Sequence, residues 1–254
     1  MKVIAFSLWG DNTRYTLGAL QNASLAKIVY PDWMCRFYVA RSVPQYIISL
    51  LSEFDNVQII NMEKDSEDDT DWDPPCEKFV RGRNLSGETL RWEGMFWRFE
   101  AASDPDVEIL LVRDCDSRLW FREKEAVDEW LESDADFHIM RDHEYHNTSI
   151  LGGMWGCRGE RFRQMKEWVT DYRNKAGWNY TEGYWPDQNF LTVYLYPLVK
   201  DTAKVHDEFF DKKPYPTPRD EKHFVGQAYA GTGRILDQEE YFQTFMKREY
   251  DAQK

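Results

Sequence analysis

Two aspartates one residue apart follow directly on the most apolar strand-like run of the chain, Val107-Glu108-Ile109-Leu110-Leu111-Val112 and then Arg113-Asp114-Cys115-Asp116. Alternate side chains of an extended chain share a face, so Asp114 and Asp116 converge if the extension persists two residues beyond the strand. In an open α/β sheet the carboxyl ends of the strands face the ligand crevice. Two carboxylates placed there repel each other unless a cation sits between or beside them. Mg²⁺ or Mn²⁺ would neutralise them and keep coordination sites for diphosphate oxygens. The bland alternative is a pair of solvated turn aspartates, and the strand before them favours the metal. Cys115 is expected to point away, into packing.

The elements around this motif alternate between two periods. Strands are expected at Val3–Leu8, Cys35–Ala40 and Val57–Met62, with helices at Tyr15–Val29 and Pro44–Phe54 between them. That alternation predicts an α/β fold with a mainly parallel, Rossmann-like sheet flanked by helices. The acidic segment 63–84, with Pro74-Pro75, breaks the pattern and reads as a surface loop. A helix is expected over Leu85–Ala102 and a strand at Phe137–Met140, followed by Arg141-Asp142-His143. A glycine-rich stretch, Leu151-Gly152-Gly153-Met154-Trp155-Gly156, comes next. Helices then follow around Phe162–Tyr172 and from Asp187-Gln188 onward. The chain from Asp201, including the C-terminal part 207–254, reads as irregular, and no repeat or linker divides the whole into two domains.

Composition narrows the function classes. The 254 residues hold 32 Lys+Arg against 45 Asp+Glu, a net charge of −13, with no basic stripe for a nucleic acid and no polybasic tether for a membrane. An acidic protein that handles an anionic ligand needs clustered arginines or a divalent cation. Four separated cysteines without zinc spacing suggest a reduced, cytoplasmic setting. No apolar run approaches a membrane span, and the N-terminus does not read as a signal peptide. The Asn-x-Ser/Thr sequons at Asn22, Asn84, Asn147 and Asn179 therefore read as chance.

The order of motifs, from Asp114-Cys115-Asp116 through Gly152-Gly153 and Asp187-Gln188 to His223-Phe224-Val225-Gly226, resembles that of GT-A glycosyltransferases, in particular the glycogenin-like enzymes. The opening Ser7-Leu8-Trp9-Gly10-Asp11-Asn12 is similar to uncharacterised bacterial and viral proteins of that fold. The resemblance implies a single glycosyltransferase domain over 1–254. It also implies a nucleotide-sugar donor carrying UDP or GDP, a carbohydrate acceptor and a Mn²⁺ or Mg²⁺ cofactor. By the same resemblance Asp114 would contact the ribose or the metal, Asp116 would ligate the metal, and His223 or His206 would complete its shell. Gly152 and Gly153 would let the backbone approach the donor sugar, and Ser7 and Leu8 would border the nucleotide. Asp187 would sit at the anomeric carbon or the acceptor hydroxyl.

Leaving-group chemistry adds two requirements. The departing diphosphate needs positive charge, for which Arg98, Arg113 and Arg118 are the candidates, because the Lys-Pro-Trp that follows the late histidine in the family is absent. The acceptor hydroxyl needs a base, Asp187 or Asp142. The rivals are a haloacid-dehalogenase-like phosphatase using Asp114 as nucleophile and a non-catalytic carbohydrate-binding protein. The first expects Thr or Val where Ser117 stands, and the second expects an all-β chain.

Overall fold

A computed structural model describes residues 1–62, 93–176, 186–219 and 223–235. Seven strands form one mixed sheet: β1 (Lys2–Leu8), β2 (Met34–Val39), β3 (Val57–Asn61), β4 (Ile109–Val112), β5 (Phe137–Arg141), β6 (Trp155–Arg158) and β7 (Lys204–Asp207). Their spatial order is β3-β2-β1-β4-β6-β5-β7. Only β6 runs against the rest, pairing antiparallel with both β4 and β5. The α/β class and the mainly parallel sheet expected from the sequence are the observed ones.

Strands covered on both faces should be apolar throughout, as β4 is and as β1 is over Val3–Phe6. Ile4, Phe6 and Leu8 of β1 enter a core layer with α1 (Thr13–Val29), α2 (Gln45–Ser52) and α3 (Phe121–Leu131). Val3 and Ala5 face the opposite layer, built on the 3₁₀ turn Arg98–Ser103, α4 (Met165–Ala176) and α5 (Pro186–Phe190). A π turn, Leu191–Leu195, joins α5 to α6 (Tyr196–Val199).

Connections from β1 step outward through β2 to β3, and the chain then returns to the other side of β1 to make β4. That reversal opens a crevice between the carboxyl ends of β1 and β4, the place where open α/β sheets bind ligands.

The glycine-rich stretch runs into a strand, β6. One expectation is corrected: the tail expected to be irregular contains β7, which carries His206. The acidic loop 63–84 lies outside the described residues. The helix expected over Leu85–Ala102 is described from residue 93, helical over 93–97 and tightened to 3₁₀ geometry over Arg98–Ser103. Among the described residues no helix is long and apolar enough to cross a membrane.

Candidate active site

Backbone pairing carries β4 one residue past its end, Arg113 N donating to Ala5 O at 3.1 Å, and the chain then turns. Ser117 Oγ donates to Asp114 O at 3.0 Å and closes that turn. Helix α1 pins it from behind. Asn22 Nδ2 donates to Ser117 O at 2.9 Å, and its Oδ1 accepts from Leu119 N at 3.1 Å. A Cβ on Gly18 would land on the Cys115 carbonyl, so only glycine lets the helix lie this close. Cys115 is buried, its Sγ 3.4 Å from Ser7 O, and burial pushes its thiol far up. Its side chain packs inward, as the spacing predicts, while the flanking carboxylates differ, Asp114 half-exposed and Asp116 largely covered.

Arg98 is the hub. Its backbone N donates to Ser7 Oγ at 3.1 Å, which ties the end of β1 to the 3₁₀ turn. Its guanidinium donates to Arg113 O at 3.0 Å, to the Asp114 carboxylate and to Asp187 Oδ2 at 3.2 Å. Asp187 is delivered by the first turn of α5, where Pro186 starts the helix with a fixed φ. Its side chain is 3% exposed, whereas that of Asp114 is 45% exposed. Burial raises the Asp187 carboxyl to about 6; the Asp114 charge adds to the rise and Arg98 opposes it. Asp187 Oδ1 meets no hydrogen-bond donor among the described residues. Gly152 and Gly153 close the cluster: a Cβ on Gly152 would press on Asp187 and Arg98, and one on Gly153 on Asp114. The room left by the absent side chains is taken by these carboxylates.

Asp116 lies on the other flank, paired with Arg14 of α1 at 2.5 Å. Burial raises its carboxyl, and Arg14 opposes the rise. Arg118 donates to the Cys115 and Ser117 carbonyls and covers the ring of Tyr229 at 4.9 Å. Residues 223–235 cross the loop: His223 stacks on Trp120 and Tyr229 N donates to Asp116 O at 2.8 Å.

Thus Ser7, Arg98, Asp114, Gly152, Gly153 and Asp187 come together as expected. Others do not. Leu8 is fully buried among the α1 and α2 residues and borders no opening. Arg113 is sealed in the core, 2.7 Å from Glu123, so its charge serves the fold rather than a diphosphate. Asp142 is not placed as a base: Arg122 grips both its oxygens at 3.0 and 3.1 Å, and Val225 N donates to Oδ2. His206 spends one ring nitrogen on His138 at 2.8 Å and the other on Glu129 at 3.2 Å, away from Asp116. Among the described residues no three His, Cys, Asp or Glu side chains form a metal-holding group, and His223 is stacked on Trp120. Sequence reading passed over Arg14, although the first βα turn of such a sheet faces the crevice and an arginine there is a signal. The sequon at Asn22 is buried in hydrogen bonds and cannot carry a glycan.

The donor set still suits a hard cation. Mg²⁺ and Mn²⁺ prefer oxygen, and Mg²⁺ sites commonly use one or two carboxylates plus substrate phosphates instead of a closed protein cage. Asp114 and Asp116 supply that number, with Asp114 open to the crevice.

No protein-family profile matches this chain, and none of the curated proteins does. Several solved structures are similar to it at low identity. A glycosyltransferase involved in the glycosylation of the major capsid of PBCV-1 is 15% identical over 81% of this chain and 81% of that one, with a TM-score of 0.47. The galactosyltransferase LgtC, in complex with donor and acceptor sugar analogs, is 12% identical over 82% of this chain and 74% of that one, with a TM-score of 0.49. A 4-diphosphocytidyl-2C-methyl-D-erythritol synthase from Anaerococcus prevotii DSM 20548 is 9% identical over 86% and 91%, at 0.44.

Proposed function

We propose that this chain is a metal-dependent glycosyltransferase that moves a sugar from UDP or GDP to a hydroxyl of a carbohydrate acceptor. The observation that carries the reading is one arginine, Arg98, bridging an open carboxylate, Asp114, to a buried one, Asp187, beside the glycine pair at the crevice. Ser7 and the Gly152-Gly153 backbone would border the donor, and Asp114 with Asp116 would hold the cation. A bound Mg²⁺ or Mn²⁺ would neutralise charge developing on the leaving diphosphate. Arg98 keeps Asp187 oriented while leaving Oδ1 to meet an acceptor hydroxyl or the sugar. With its carboxyl raised to about 6, Asp187 is ionised at neutral pH and is a stronger base than an ordinary aspartate. The α/β sheet argues against the all-β carbohydrate-binding rival.

Thermal unfolding with UDP or GDP, each with Mn²⁺ or with EDTA, tests this. At a ligand concentration of about a hundred times Kd, a rise on the order of 5–10 °C is expected with Mn²⁺ and little with EDTA. Equal stabilisation in EDTA would remove the metal from the reading, and no shift under any condition would remove the nucleotide.

A further inference from the structure

The second carboxylate of the loop has a partner with a role of its own. Arg14 stands in the first turn of α1, where its backbone N donates to Asn12 Oδ1 at 3.0 Å, and its guanidinium holds Asp116 Oδ2 at 2.5 Å. The two side chains are 17% and 15% exposed, so the pair is largely screened from water. Helix and loop are held in register by the Gly18 contact and by Asn22, which fixes this meeting through the backbone.

Around the loop, three aspartates (Asp114, Asp116, Asp187) stand against three arginines (Arg14, Arg98, Arg118). A divalent cation arriving alone finds no net negative charge and an arginine on Asp116. A diphosphate arriving alone meets three carboxylates. Arriving together, each supplies what the other displaces. Arg113 is sealed in the core, Arg98 must keep Asp187, and Arg118 is bonded to loop carbonyls. Arg98 also holds a carboxylate that the cation would take over, Asp114, but it is tied to Asp187 and to Arg113 O as well; Arg14 with Asp116 is the second such pair.

We propose that Arg14 is the diphosphate-contact residue and acts by exchange, releasing Asp116 to the cation as its guanidinium takes a diphosphate oxygen. No bond is made or broken covalently; one ion pair becomes two. This rests on the nucleotide reading above, and it makes cation and nucleotide bind as a coupled pair, each raising the affinity of the other by the same factor.

Two affinities decide it, measured by calorimetry on the full chain: Mn²⁺ alone, and UDP or GDP at saturating Mn²⁺. Arg14→Gln should tighten Mn²⁺ alone several-fold, because Asp116 loses its competitor, and weaken the nucleoside diphosphate by about tenfold or more. Arg14→Lys keeps the charge without the planar fork and should fall between. A merely structural arginine would weaken both affinities together, and that result, or no change in either, overturns the exchange. A wild-type chain that binds neither nucleotide with Mn²⁺ fails at the nucleotide reading itself, before any variant is compared.

Discussion

Asp187 concentrates the chemistry of the site in one side chain. Its Oδ2 is bonded to Arg98, its Oδ1 is buried and meets no hydrogen-bond donor among the described residues, and burial holds the carboxyl at about 6 against an ordinary 3.8. Asp187→Asn should therefore keep metal-dependent nucleotide binding within a few-fold while kcat falls by about 10²–10⁴. The wild-type rate should rise with pH through about 6, and the variant should lack that limb. Stability follows the same group. Protonated Asp187 is tolerated by its buried surroundings, so its contribution is present below the unfolded value of 3.8 and lost as pH rises through about 6. The wild-type advantage over Asp187→Asn in urea unfolding should shrink between pH 4 and 7, by about 3 kcal/mol for a shift of roughly two units. An advantage that grew over that range would contradict the burial account. Asp116→Asn should instead lose metal-dependent nucleotide binding and turnover together. The sequence made Asp114, Asp116 and Asp187 legible because short motifs at element ends carry their own geometry. Arg113 and Asp142 misled because neighbouring in sequence says nothing of Glu123 or Arg122, ten and twenty residues away, which claim them.

Elements decide whether that chemistry is held in place. The loop after β4 is pinned by α1 through Asn22, which makes two strong buried hydrogen bonds to it. Asn22→Ala leaves the buried Leu119 N–H without this partner and takes from the Ser117 carbonyl one of its two donors, the other being Arg118, a cost of about 2 kcal/mol. The unfolding midpoint should fall by roughly 4–8 °C, and nucleotide affinity should fall with it as Asp114 and Asp116 lose their fixed spacing. A variant with unchanged midpoint and affinity would show that the pin is dispensable. Long elements with a clear period were readable: β1, β2, α1 and α2 lie within two residues of their expected bounds. β6 and β7 were not, because each has four residues and mixes in glycine, arginine or histidine. Strand β6 exists only because β4 and β5 flank it, a non-local pairing that no local window contains.

At the scale of the whole molecule, the dominant quantity is the net charge of −13 on a chain whose proposed donor is an anion. A negative protein repels a bare nucleoside diphosphate over distances set by the Debye length, about 30 Å at 0.01 M salt and 8 Å at 0.15 M. The three arginines at the loop act only at short range and are matched there by three aspartates. Long-range repulsion should thus govern the encounter. In stopped-flow mixing, the association rate of UDP or GDP without metal should rise with added salt, by a few-fold between 0.01 and 0.15 M. The Mn²⁺-loaded nucleotide carries less charge, so its association rate should change much less over the same range. Dissociation reports the short-range contacts and should depend on Arg14 and Asp116 more than on salt. If the bare nucleotide instead associated more slowly as salt was added, local arginines would outweigh the global field. The cation would then be needed for chemistry and not for entry.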